Sequence, residues 1–232
     1  MIKKLVMATL AVFGLSAAFA PPGLADDFYG APCNIPASVV GNVQAQLATV
    51  VQENNGGLFT PNRMWSAVVD RQGRLCSVIK IGDAWPGSRA IAIAKAETAN
   101  DFSNGGPGGI ALSTANLYGP TQPGGSLYGL NNSNPFNPAF NPQGTGIGYV
   151  PGGIITFGGG VPLYVRGEVI GGLGVSGDTS CADHAIAYRM RAAAGLNGTP
   201  TNDNIQYYPT AAVDPSQFAQ PHCLGAGKDV TP

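Results

Sequence analysis

Apolar residues recur at Val39, Val40, Val43, Leu47, Val50 and Val51, the spacing of one helix face, so a helix is predicted over 38–53 with Ser38 as its N-cap. Past residue 63 the period shortens. WSAVVD and RLCSVIK, within 64–80, read as two strands joined by a hairpin turn at 70–73. The stretch SRAIAIAKAETANDF, 88–102, is alanine-rich and strongly helix-forming, and Ile91 and Ile93 give it a thin apolar surface suited to close packing on a sheet. GGIITFGGGVPLYVRGEVIGGLGVSG, 152–177, reads as three short strands, separated by the glycines at 158–160 and by a turn at Arg166 and Gly167. A last helix is predicted from Asp178 to about residue 194, with Ser180 and Asp183 as a capping pair and Gly195 as its stop. The order α-β-β-α-(long loop)-β-β-β-α implies an α+β domain, an antiparallel sheet of about five strands flanked by helices.

From the end of the second helix run 64 consecutive positions, 102–165, without Asp, Glu, Lys or Arg. Gly, Pro and Asn supply 30 of the 58 residues in 103–160. A structureless loop of that length is uncommon in a compact domain. This one carries Leu117, Tyr118, Leu127, Tyr128, Phe136 and Phe140, so an insertion at 103–151, ordered by packing on its own domain, a second subunit or a ligand, is expected. At the other extreme, Lys3 and Lys4 followed by an apolar run and small residues up to Ala25 have the pattern of a secretory leader, 1–25, cut after Ala25. That leaves 26–232 as a single domain with an irregular tail, 197–232, in the periplasm or outside the cell. The chain has 12 Lys+Arg against 13 Asp+Glu, and charged residues make up 11% of it. This balance argues against a nucleic-acid binder, which needs clustered cations. Beyond the leader no apolar run is long enough for stable membrane insertion.

Export sets the reading of Cys33, Cys76, Cys181 and Cys223. Four cysteines allow three pairings, and two disulfides are the default in an oxidising compartment. The expected pairs are Cys33–Cys76 and Cys181–Cys223, each tying an irregular terminal segment to a regular element. Two tempting motifs fail. Gly172, Gly174 and Gly177 match G-x-G-x-x-G, but they sit partly inside a strand, Asp178 would oppose a pyrophosphate, and no second βα unit follows. Small residues that admit a close helix explain them better. Gly174-Val-Ser176-Gly-Asp178 approaches a nucleophile elbow, with Asp203 or Asp214 and then His222 in hydrolase order, yet the parallel sheet it requires is missing. The two histidines, His184 and His222, cannot build a three-histidine metal site. On a helical wheel the core face of the last helix is Ala182, Ile186, the stem of Arg189 and Ala193, which sends His184 to the opposite side with Tyr188 and Arg191, toward solvent, a partner subunit or the long loop.

Residues 159–191, GGVPLYVRGEVIGGLGVSGDTSCADHAIAYRMR, resemble the GlcG/HbpS-like haem-binding family, the domain also found at the C-terminus of the cobalamin adenosyltransferase PduO. The shared pieces are the G-G-x-P strand at Gly159–Pro162, the I-G-x-L-G-V-S-G strand at 170–177, and the acidic cap and alanine-rich helix from Asp178. A second block, 67–102, is similar to the family's strand–turn–strand and its A-x-x-K-A-x-T-A helix around Lys95. The resemblance implies a profilin-like fold and a homo-oligomer, and the insertion departs from the short family loop. It also implies a function. The expected one is an exported oligomeric protein holding haem, or a similar small planar ligand, non-covalently. The alternatives are a cofactor-free interaction protein whose neutral loop is buried between subunits, and an enzyme on a small metabolite using Asp178, Thr179 and His184. The candidate ligand site is a cleft between the start of the last helix and the insertion. Tyr118, Tyr128 and Phe136 would cover a macrocycle there, and the amides near Asp178, Thr179 and Ser180 would meet its polar end. His184 and His222 are the candidate metal ligands, with Met64 and Met190 as further axial candidates.

Overall fold

The computed structural model describes residues 30–198, 203–208 and 218–232; the expected leader, 1–25, lies outside the described residues. Strand β1 (Met64–Asp70) is buried at every position because it lies inside the sheet with a helical layer on each face. It pairs antiparallel with β2 (Leu75–Ile81) through the predicted hairpin and with β4 (Glu168–Ser176) on its other side. Strand β3 (Gly160–Val165) closes the order β2-β1-β4-β3. Alternate residues then separate two cores. Met64, Val68, Leu173 and Val175 face helices α1 (Ala37–Ala45), α2 (Leu47–Val50) and α5 (Ser180–Ala193). Trp65, Ala67 and Val69 face α3 (Ser88–Asp101).

The α+β class stands, but the main sheet has four strands rather than about five. Residues 154–157, predicted as a strand from their apolar β-branched run, form none. Gly152 and Gly153 enter the segment with φ +70 and +97, and the Ile155 N–H donates to the Thr98 hydroxyl of α3 (2.9 Å) instead of to a ladder. A separate two-residue parallel pair, β5 (Tyr207–Tyr208) with β6 (Gln220–Pro221), forms in the tail. Ser38 does not cap the first helix. That role falls at Pro36, and the helix breaks into two at Gln46. At the start of α5 the cap is Thr179, whose hydroxyl accepts from the Ala182 N–H (3.2 Å), and Ser180 is already helical. Gly195, with φ +72, ends α5 as predicted.

The insertion folds onto this frame. It contains a short helix α4 (Tyr118–Thr121) and 3-10 turns at Leu130–Asn132 and Pro138–Phe140, and Ala111, Ala115 and Leu117 are buried. Arg89 of α3 anchors it. The guanidinium, 1% exposed, donates to the carbonyls of Phe140 (2.6 Å), Asn141 (3.3 Å) and Thr145 (2.7 Å). A neutral loop with many turn carbonyls suits such a cation, because the fork of donors satisfies several acceptors at once.

Glu97 of α3 lies under the β1–β2 hairpin, 3% exposed, with Oε2 unpartnered. Burial, then the charges of Asp101 and Asp70, push its carboxyl up to about 8. The folded state therefore holds this proton between about pH 4.5 and 8 where the unfolded chain has lost it, so stability falls as pH rises through that window. Glu97→Gln should flatten the fall, which is about 1.4 kcal/mol per pH unit at its steepest, and should melt higher than the parent at pH 9. Thermal unfolding from pH 5 to 9 checks this; parallel curves for the two proteins would refute it.

Candidate functional site

Helix α5 is buried almost all round, which the helical wheel did not anticipate. The sheet covers Ile186 and Met190. The opposite stripe, Cys181, His184 and Arg191, runs at helical spacing and carries the C-terminal tail. Cys181 is bonded to Cys223, and Cys33 to Cys76. Arg191, 1% exposed, makes a bidentate ion pair with Asp203 through both terminal nitrogens and also donates to Asn197 and to the Pro162 carbonyl. Ile205 packs with Cys181 and Ala115. Gln220 accepts from the Gly158 N–H (3.0 Å) and donates to Ser180 Oγ (3.3 Å).

His184 therefore does not face solvent. It is fully buried, between the glycine segment at Gly158, where a Cβ would stand 3.0 Å from the His184 Cβ, and the tail. Neither ring nitrogen has a hydrogen bond of good geometry; the Asn204 side chain approaches the ring without completing one. Burial drives its pKa down to about 3, against the pull of Asp203. At neutral pH it is an uncharged imidazole with which no described residue completes a hydrogen bond. Buried polar groups are normally satisfied, and an orphan is a marker of function.

The other predicted site residues have structural work. Asp178 fastens the 56–63 loop: its carboxylate accepts from the N–H groups of Leu58 (2.6 Å), Phe59 (3.0 Å) and Thr179 (2.7 Å) and from the Asn62 amide (3.1 Å). So the start of α5 meets this loop and the tail. Ser180 Oγ lies 3.3 Å from Cys223 Sγ. Tyr118 opens α4 and is half-buried, Tyr128 is 68% exposed, and Phe136 packs at the edge of the α3 core. His222 stacks on Tyr207 with ring centroids 4.3 Å apart, and its Nδ1 is 3.1 Å from Asp229 Oδ2. Met64 and Met190 are core residues. Among the described residues, no group of three metal-ligating side chains includes a histidine. Ser176, Asp203 and His222 do not form a triad, since Asp203 pairs with Arg191 and His222 with Asp229.

Two cavities frame the question of a ligand. One of about 550 Å³, beside the 56–63 loop, is lined by Val51, Leu58, Phe59, Pro61, Arg63 and Ile81. It has the volume for a sizeable planar molecule but offers no imidazole or thiolate. The other, about 180 Å³, lies between α3 and the insertion at Ile91, Phe136, Ile154 and Ile155, and is too small for a macrocycle.

A residue pair that sequence reasoning missed lies beside His184. Lys95 of α3, fully buried, donates to Asp183 Oδ2 (2.7 Å) and to the Val175 carbonyl (3.1 Å), while Asp183 Oδ1 accepts from the N–H groups of Gly177 and Asp178. Burial pushes Lys95 down and Asp183 up to about 6, each opposed by the other's charge. The available signal was a lysine and an aspartate each set among alanines, with no opposite charge three or four residues away in their own helices.

The family model described as haem degrading protein HbpS-like matches residues 49–192. The chain belongs to this family. Over 121 residues the HbpS-like chain is 33% identical to an uncharacterized 15.0 kDa protein from the dhaT-dhaS intergenic region of Citrobacter freundii, covering 52% of this chain and 68% of that one. It is 33% identical over 132 residues to the corrinoid adenosyltransferase PduO of Salmonella typhimurium, covering 56% of this chain and 32% of the other, so the match spans about a third of that relative. The crystal structure of Klebsiella pneumoniae protein ORFY superposes with a TM-score of 0.52 at 26% identity, over 70% of this chain and 92% of that one. The structure of a PduOC:haem complex gives 0.51 at 26% identity, over 68% and 94%. The family match ends at residue 192, so the tail that covers His184 lies beyond it.

Proposed function

We propose that this HbpS-like chain is an exported, self-associating haem-binding protein and that His184 is its iron ligand. The observation that carries the reading is the buried imidazole, neutral at physiological pH, with which no described residue completes a hydrogen bond of good geometry. Such a group is the right donor for haem iron. The PduOC:haem complex, similar in fold and sequence, supports the choice of ligand. When bound, haem would supply an iron centre capable of redox and ligand chemistry. This chain's residues would hold it: His184 at the metal, with Lys95 and Asp183 fixing the first turn of α5. The same burial that keeps His184 neutral also shuts it in, so binding requires the tail to move aside. Two disulfides fit an oxidising compartment. Ile110, Tyr128, Ile147 and Val150, each at least half exposed on the insertion, supply an apolar surface that a second copy would cover.

Hemin titration tests the reading, with the disulfides intact and after reduction by a phosphine. A saturable Soret shift is expected, with affinity at least tenfold weaker in His184→Ala and unchanged in His222→Ala. No saturable shift in either redox state would overturn it. Light scattering that finds a monomer at all concentrations would remove the self-association.

A further inference from the structure

We propose that the described tail segments, 203–208 and 218–223, form a disulfide-latched cover over His184, opened when a dithiol reduces Cys181–Cys223. The inference rests on the haem reading only for what enters; the cover itself stands on geometry. Its grip is mainly covalent and polar. Among the described tail residues only Ile205 and Ala219 are buried aliphatics. The hold also includes the Arg191–Asp203 pair, the Gln220 bonds, the packing of Tyr207 beside Ile205, and the Asn116 amide donating to the Asn204 carbonyl (3.3 Å). Without the cross-link these local contacts must hold a polar segment unaided, and such segments open most readily.

The latch is placed to open. Cys223 is half-buried and Cys181 fully buried, so an attacking thiolate meets Cys223 Sγ first. Cys181 then leaves as the thiolate from the first turn of α5, where the helix amides favour negative charge. The Gln220 amide donates to its sulfur (3.3 Å). Asp229, within 4.8 Å of both sulfurs, opposes that charge, but its carboxylate is itself engaged by the Leu224 N–H and by His222. The exchange balances: the disulfide takes two electrons and two protons to give two thiols, and the dithiol closes to its own disulfide. Released Cys223 carries Gln220 and His222 away with it. His184 keeps its place on α5, because Thr179 caps the helix and Asp183 ties its first turn without using either cysteine.

The test compares the oxidised protein with Cys181→Ala/Cys223→Ala. Carbethoxylation of His184 by diethyl pyrocarbonate is followed by peptide mass spectrometry, with hemin titrated in parallel. His184 in the variant is expected to react at least tenfold faster, with far-ultraviolet circular dichroism unchanged. Reduced wild-type protein and Cys33→Ala/Cys76→Ala serve as a second pair: reduction should speed the reaction, and loss of the other disulfide alone should not. Equal His184 rates in folded oxidised and latch-free protein overturn the cover. Faster modification without hemin binding in any form leaves the cover and overturns the haem reading instead.

Discussion

Lys95→Met is expected to lose about 3–5 kcal/mol of stability at pH 7, the usual cost of leaving one member of a buried ion pair without its partner. The geometry sets this size. Lys95 and Asp183 are both inaccessible, and their 2.7 Å contact joins α3 on one face of the sheet to α5 on the other, past Gly159, where a Cβ would stand 2.7 Å from Nζ. Removing the ammonium leaves Asp183 with two backbone N–H donors and no counter-charge. Its carboxyl, already pushed up to about 6 with Lys95 present, would rise further. The sign follows. An acid with a raised folded pKa costs stability above its unfolded value, and the cost is relieved as pH falls and the group takes up its proton. The deficit of Lys95→Met should therefore shrink from pH 8 to pH 5, whereas a pure packing defect would be indifferent to pH. Denaturant unfolding at both pH values decides between them.

The sequence made the regular elements legible where one periodicity ruled. The β1–β2 hairpin, α3 and α5 fall within a few residues of their predicted bounds, because apolar alternation, alanine content and the Gly195 stop each dominate locally. Reading failed where a partner remote in sequence decides the outcome. A helical wheel assumes one buried face and so points His184 toward solvent, a partner subunit or the long loop, but a tail without periodicity covers the other face of α5. Residues 154–157 have strand composition, yet positive-φ glycines turn the backbone and Thr98 takes the N–H that a ladder would need. Asp178 reads from the sequence as an acidic cap beside amides that would meet a ligand; its carboxylate instead holds the amides of a loop 120 residues away, which no local pattern announces. Arg89 was missed for a related reason, since its partners are carbonyls, which any residue supplies.

Gly174→Ala should be among the most damaging single methyls at the described glycines. Gly172 and Gly174 lie on the face of β4 that meets α3, and they bring the two backbones into contact. A Cβ at Gly174 would overlap the Ala92 carbonyl oxygen and come within 2.5 Å of the Ala96 nitrogen; at Gly172 it would overlap the Ala96 carbonyl. These obstacles are helix backbone, which cannot rotate away as a side chain can. The helix must lift from the sheet, and lifting it pulls Lys95 from Asp183 and Arg89 from the carbonyls that hold the insertion. Overpacking alone costs about 1–3 kcal/mol, and the coupled losses of the ion pair and the anchor should carry Gly174→Ala beyond it, to insolubility or a molten state. The contrast is Gly41→Ala in α1, where a Cβ meets nothing within 4 Å and alanine is the better helix former by about 1 kcal/mol. Thermal unfolding should therefore move in opposite directions for the two glycine-to-alanine changes. A Gly174→Ala protein that melts with the parent would mean that α3 and β4 do not touch as described, and the close approach that fixes Lys95 would go with it.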